Sequence, residues 1–90
     1  MTRQEAREQG RSLGLQLGVI LAEETLKTAG PLPPEVAAAR TAITYETIAG
    51  AAARMSTSRK RDEFRVSAEQ GVVAALDTAQ VTVAAMGAPN

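Results

Sequence analysis

The run Gly30-Pro31-Leu32-Pro33-Pro34 constrains the fold of this 90-residue chain more than any other feature. Each proline fixes its own φ and pushes the residue before it out of the helical region, so no helix crosses this run. The chain must turn here. Pro34 followed by Glu35 then suits the first turn of a new helix, where a missing N–H costs nothing and a carboxylate meets the positive end of the helix dipole.

Upstream, the abundance of helix formers predicts a helix over about residues 3–28. Leu13, Leu15, Leu17, Val19 and Leu21 alternate with the period of a strand, whereas Leu13, Leu17, Ile20 and Glu24 keep helical spacing. Helix is preferred because no second strand is visible to pair with, and a lone strand is not stable. Downstream, a second helix is expected over about 34–55. It carries Val36, Ala39 and Ile43 on one strip and Tyr45, Ile48, Ala52 and Met55 on the adjacent one. The Ser56-Thr57-Ser58 cluster reads as a turn whose hydroxyls can cap the next helix. A third helix follows over about 59–86, where Phe64, Ala68, Val72, Ala75, Leu76, Ala79, Val83 and Met86 recur at three- and four-residue spacing before Gly87 and Pro89. The second turn lacks both glycine and proline, so one continuous helix from Pro34 to Met86 is the alternative. The chain is therefore expected to be a single all-α domain over 1–90, an antiparallel helical hairpin or three-helix bundle.

Such a bundle has little to fill its core. Hydrophobic residues make up 44% of the chain, but 18 of them are alanine and only Tyr45 and Phe64 are aromatic. A chain of this size buries only roughly 60–65% of the surface its unfolded form exposes. With no cysteine to form a disulfide, self-association is the expected way to complete the core.

Gly10, Gly14 and Gly18 recur every four residues and so share one helix face. Each costs about 1 kcal/mol relative to alanine in a helix interior, which close approach of another helix would offset. Counting residues across both turns puts Gly18 level with Tyr45 and close to Gly71, and puts Phe64 near Gly14 and Gly50. Each ring is therefore expected in space that glycines leave open.

The absence of both Cys and His removes thiolate and imidazole chemistry: no zinc finger, no Cys or His nucleophile, no Ser-His-Asp triad. No spacing suggests a paired acid and base, a metal site or a cofactor site, so no enzyme is expected. The apolar run Leu13 to Ala22 is half the roughly 20 residues that span a bilayer. A secretory signal would use Arg3, Arg7 and Arg11 as its charged region, but Glu5 and Glu8 interrupt them and no small-residue cleavage site follows. A cytoplasmic protein without a membrane partner is expected. The skew toward Ala, Gly and Arg, with only Lys27 and Lys60 as lysines, suggests a bacterial or bacteriophage source.

Net charge is zero, with ten cations and ten anions, yet folding at both turns polarises the chain. One end gathers Arg3, Arg7, Arg11, Arg54, Arg59, Lys60, Arg61 and Arg65 against Glu5, Glu8, Asp62, Glu63 and Glu69, eight minus five. The other gathers Lys27 and Arg40 against Glu23, Glu24, Glu35, Glu46 and Asp77, two minus five. Arg59-Lys60-Arg61 sits badly at the positive end of a helix dipole. That marks Arg54, Arg59, Lys60, Arg61 and Arg65 as a candidate surface for a partner or an anion. The only aromatic beside them is Phe64, so base stacking has little to work with.

These features point to a non-enzymatic small helical protein, a homo-oligomeric structural, adaptor or protein-partner-binding module. Its partner would be itself or a larger protein, as an inhibitor or antitoxin-like subunit. The alternative is a small nucleic-acid-binding regulator using the basic turn at 54–65, although no helix-turn-helix signature is present.

Overall fold

A computed structural model describes residues 1–27 and 32–87, including their side chains except those of 25–27 and 81–87. Three helices account for the fold: α1 (Arg3–Lys27), α2 (Pro34–Ala52) and α3 (Ser58–Gly87). The described residues contain no strand, so the alternating leucines of α1 belong to a helix. Residue 28, expected to end α1, and Gly30 and Pro31 lie outside the described residues, as do the side chains of Val83 and Met86.

Each helix starts on a recognisable local device. Thr2 Oγ1 accepts the Glu5 N–H (3.1 Å) while a Glu5 carboxylate oxygen accepts the Thr2 N–H (3.2 Å), a reciprocal capping box that satisfies two exposed donors. At α2, Pro33 is extended (φ −54°, ψ 141°) and its carbonyl accepts the N–H groups of Val36 and Ala37, both at 3.0 Å, while Pro34 opens the helix. At α3, Thr57 Oγ1 accepts the Lys60 N–H (3.2 Å) and the Thr57 carbonyl accepts the Arg61 N–H (3.0 Å).

The second turn corrects the expected boundary. α2 ends at Ala52 rather than near 55, and α3 starts at Ser58, so a continuous helix from Pro34 to Met86 is not formed. The break rests on polar caps in place of glycine or proline. The N–H groups of Arg54 and Met55 bond back only three residues, to Ala51 and Ala52, which tightens the last turn. The Arg61 guanidinium then donates to the Met55 carbonyl at 3.0 Å, closing the turn from the far side.

The helices run up, down and up in a body measuring 51 × 27 × 13 Å. α1 and α3 are parallel, since Gly10, Gly14 and Gly18 ascend in step with Phe64, Ala68 and Val72. α2 lies antiparallel over this pair and meets it through Thr44, Ile48 and Ala52. Ala52 joins Ala6 and Phe64 in one buried cluster, and Ile48 joins Ala68 and Val72 in a second; Leu13 packs against both.

The inward row of α2 keeps Ile48 and Ala52 of the second expected strip, with Met55 half-buried beside them, and departs from the rest of both strips. Val36, Ile43 and Tyr45 are exposed, and Thr44 takes an inward position instead. A threonine is tolerated there because its hydroxyl donates to the Arg40 carbonyl (3.0 Å), so burial strands no unpaired donor. Along α3 the expected row holds: Phe64, Ala68, Val72 and Ala75 are buried, and Leu76 and Ala79 are half-buried.

Candidate interaction surfaces

The glycine row lies against the backbone of α3. A Cβ on Gly10 or Gly14 would overlap the carbonyl oxygens of Phe64 and Ala68. On Gly18 it would come within 2.6 Å of the Ala75 Cβ and 2.9 Å of the Val72 carbonyl oxygen. Gly71 answers from the other helix: a Cβ there would lie 2.7 Å from the Arg11 carbonyl oxygen and 2.9 Å from the Leu15 nitrogen. Ala6 and Ala22 continue the α1 row at the same four-residue step and are also buried. The two alanines were legible as a signal, since small residues occupy every fourth position from 6 to 22. Opposite this ridge, α3 offers rows 64/68/72 and 67/71/75, and a ridge of one helix set in a groove of the other is the usual way helices pack. Ser67 fastens the seam by donating its hydroxyl to the Arg7 carbonyl at 2.6 Å.

Two expectations about the aromatic rings are corrected here. Tyr45 does not fill space between Gly18 and Gly71; it is 38% exposed on α2. Phe64 is buried, but among Ala6, Ala52, Leu13, Ala51 and Met55. Its backbone is level with Gly10 rather than Gly14, and nothing in the chain lies within 4 Å of a Cβ built on Gly50. The row of glycines makes room for a helix backbone, which leaves no gap for a ring.

The basic candidates cluster at the turn between α2 and α3, where most are engaged locally. Arg61 closes the turn as described, Lys60 Nζ lies 3.4 Å from Ser56 Oγ, and Arg65 pairs with Glu69 (3.6 Å) and Asp62 (3.9 Å). Arg54 and Arg59 are exposed. From α1, Arg3 and Arg7 converge on Glu63 at 2.8 and 3.0 Å. The Arg7 hydrogen bond, then that of Arg3, holds the Glu63 carboxyl below its ordinary value, and Glu63 raises Arg7 in return. A shallow depression of about 340 Å³ opens here between Arg3, Arg59, Asp62, Glu63 and Val66. Its two carboxylates oppose an anion as much as its two guanidinium groups favour one.

A second surface, not singled out by sequence, runs along α1 and α2. Ile20 and Ile43, 53% and 62% exposed, line a depression of about 200 Å³ together with Leu17, Leu21, Thr44 and Thr47. Its far end is crossed by Arg40, whose Nη1 lies 3.3 Å from a Glu24 carboxylate oxygen. The hydroxyls of Thr44 and Thr47 donate to the carbonyls of Arg40 and Ile43 on their own helix. The threonines therefore present mainly methyl groups, and the depression is apolar in character.

Among the described residues, no group of three or more acidic side chains is placed to hold a metal ion, and no helix is long and apolar enough to cross a membrane. In comparisons with known proteins, the chain matches no family model, no curated protein and no solved structure.

Proposed function

We propose that this chain is a non-enzymatic helical module that assembles with copies of itself and serves, in a cytoplasmic setting, as a structural, adaptor or protein-binding component. The observation that carries this reading is how its large apolar side chains are distributed. Ile48, Phe64 and Val72 are the only ones of size that are buried among the described residues. Leu15, Val19, Ile20, Val36, Ile43, Tyr45, Val66 and Val73 all stand at least 36% exposed. Burying a side chain of this kind fully contributes about 1.5–3 kcal/mol, so a lone chain leaves part of its available stabilisation unused.

Native mass by light scattering with refractive-index detection tests the proposal, since one tyrosine and no tryptophan make absorbance a poor concentration signal. An integral multiple of 9.4 kDa without excess absorbance at 260 nm is expected. A monomer, or a species that carries nucleic acid and sheds it in high salt, would overturn it; the second result would move Arg54 and Arg59 to the centre of the function.

A further inference from the structure

We infer that the outer face of α2 is the seat of a second copy of this chain, packed antiparallel about a two-fold axis so that Ile43 of each copy enters the gap over Gly50 of the other. The inference rests on the self-assembly proposed above and adds the face, the orientation and the register.

Ile43 and Gly50 are seven residues apart and therefore lie on one face of α2, two turns from each other. Ile43 is the most exposed of the large hydrophobic residues described, at 62%. Gly50 is the converse. The glycines at 10, 14, 18 and 71 are each pressed against another backbone or side chain, whereas nothing lies within 4 Å of a Cβ built on Gly50. Glycine weakens a helix interior, and inside a single chain nothing accounts for this one. A knob without a hole and a hole without a knob, on the same helix face, are reconciled by two-fold symmetry. If the axis passes between Glu46 and Thr47, residues 43 and 50 are equidistant from it, and each Ile43 falls on the partner's glycine position.

Charge selects the same orientation. The end of the bundle carrying Arg54 and Arg59 has an excess of three positive charges, and the end carrying Glu23 and Glu35 an excess of two negative ones once Glu46, at mid-length, is set aside. Parallel copies would place like ends together; antiparallel copies place opposite ends together, which favours encounter and sets orientation. The axis at Glu46 and Thr47 lies near mid-length of the rod, because neighbouring Ile48 packs level with Ala68 and Val72, opposite Gly14 and Gly18. The two rods then overlap along their whole length. α2 spans 19 residues, about 28 Å of helix, and its outer row forms the ridge along which the two copies meet. A small ligand suits this face less well, since the Thr47 hydroxyl beside it is already bonded to the Ile43 carbonyl at 2.8 Å and offers little to orient a polar molecule.

The test exchanges knob and hole. Native mass is measured by light scattering for the unaltered chain, for Ile43→Ala, for Gly50→Ile and for the two combined, with helix content by circular dichroism. Each single variant is expected to weaken association at least tenfold while remaining helical. The combination sets the introduced isoleucine of one copy against the introduced alanine of the other and is expected to restore the dimer. Val73→Glu, on the outer face of α3, should leave the dimer intact. A dimer that ignores both single variants, that is not restored by their combination, or that dissociates with Val73→Glu would overturn this face and leave self-assembly standing. A monomeric unaltered chain would overturn both.

Discussion

Gly14 of α1 and Ala68 of α3 meet backbone to backbone, and the space a Cβ on residue 14 would take is held by the Ala68 carbonyl oxygen. Gly10 and Gly18 repeat the relationship one turn to either side, against Phe64 and Val72. Glycine in a helix interior costs about 1 kcal/mol relative to alanine. The row is sustained because close approach brings many atoms of two backbones and their flanking alanines into dispersion contact, each small and together large.

Adding side chains at this seam should therefore reverse the usual effect of replacing glycine in a helix. Gly14→Ala is expected to lower the melting temperature although alanine is the better helix former, and Gly14→Leu to cost on the order of 1–3 kcal/mol through overpacking. For a domain of this size each kcal/mol shifts the midpoint by about 4–8 °C. Thermal unfolding followed by circular dichroism checks this; a raised midpoint for either variant would mean that the helices are not in this register.

The Ser67 hydroxyl, buried and 2.6 Å from the Arg7 carbonyl oxygen, is the polar fastening of the same seam. Ser67→Ala should destabilise the chain by about 1 kcal/mol, the typical net contribution of such a bond. Urea unfolding should show a lower midpoint with an unchanged slope, since the surface exposed on unfolding is the same.

Much of this architecture was legible in the residues, for identifiable reasons. The proline run and the three- and four-residue spacing of Phe64, Ala68, Val72 and Ala75 locate the helices because those signals are local. Thr44 escaped notice because its inward position depends on a hydroxyl satisfied by the Arg40 carbonyl, which hydropathy spacing does not register. The spacing of Gly10, Gly14 and Gly18 defined a face but left open what covers it: rings were expected, whereas the structure brings a backbone. Tyr45 is misplaced because counting along the chain sets its level but not the side of α2 on which it stands, and the inward positions go to Thr44, Ile48 and Ala52. The apolar depression at Ile20 and Ile43 joins two helices and has no sequence-local signature.

The cap at the second turn offers a separate test. Thr57 Oγ1 satisfies the Lys60 N–H, and replacing an N-cap threonine by alanine typically costs about 1 kcal/mol. Thr57→Ala should lower stability by that order, whereas Ser56→Ala should have a smaller effect, because the Ser56 hydroxyl meets only the flexible Lys60 side chain. Equal effects in denaturant titrations would contradict the assignment of Thr57 as the cap.

Acid should loosen the junction of α1 and α3. The hydrogen bonds from Arg7 and Arg3 hold Glu63 below its ordinary value of 4.5, and those within the Thr2 capping box lower Glu5 likewise. A carboxyl depressed in the folded state adds stability above its unfolded pKa, and that contribution is lost as pH falls through the folded one. Stability should therefore be flat at neutral pH and decline below about pH 4.5, more shallowly in Glu63→Gln than in the unaltered chain. Identical acid limbs for the two proteins would show that Glu63 carries no such linkage.

The dependence of the melting temperature on protein concentration tests most directly whether self-association completes the core. A fold stabilised by a second copy melts higher as concentration rises, because binding of folded chains shifts the equilibrium by mass action. Over a hundredfold range the midpoint is expected to climb by several degrees, with a single cooperative transition throughout. A midpoint that stays constant across that range would contradict the central claim, leaving the exposed Ile20 and Ile43 as the surface of a chain that is stable alone.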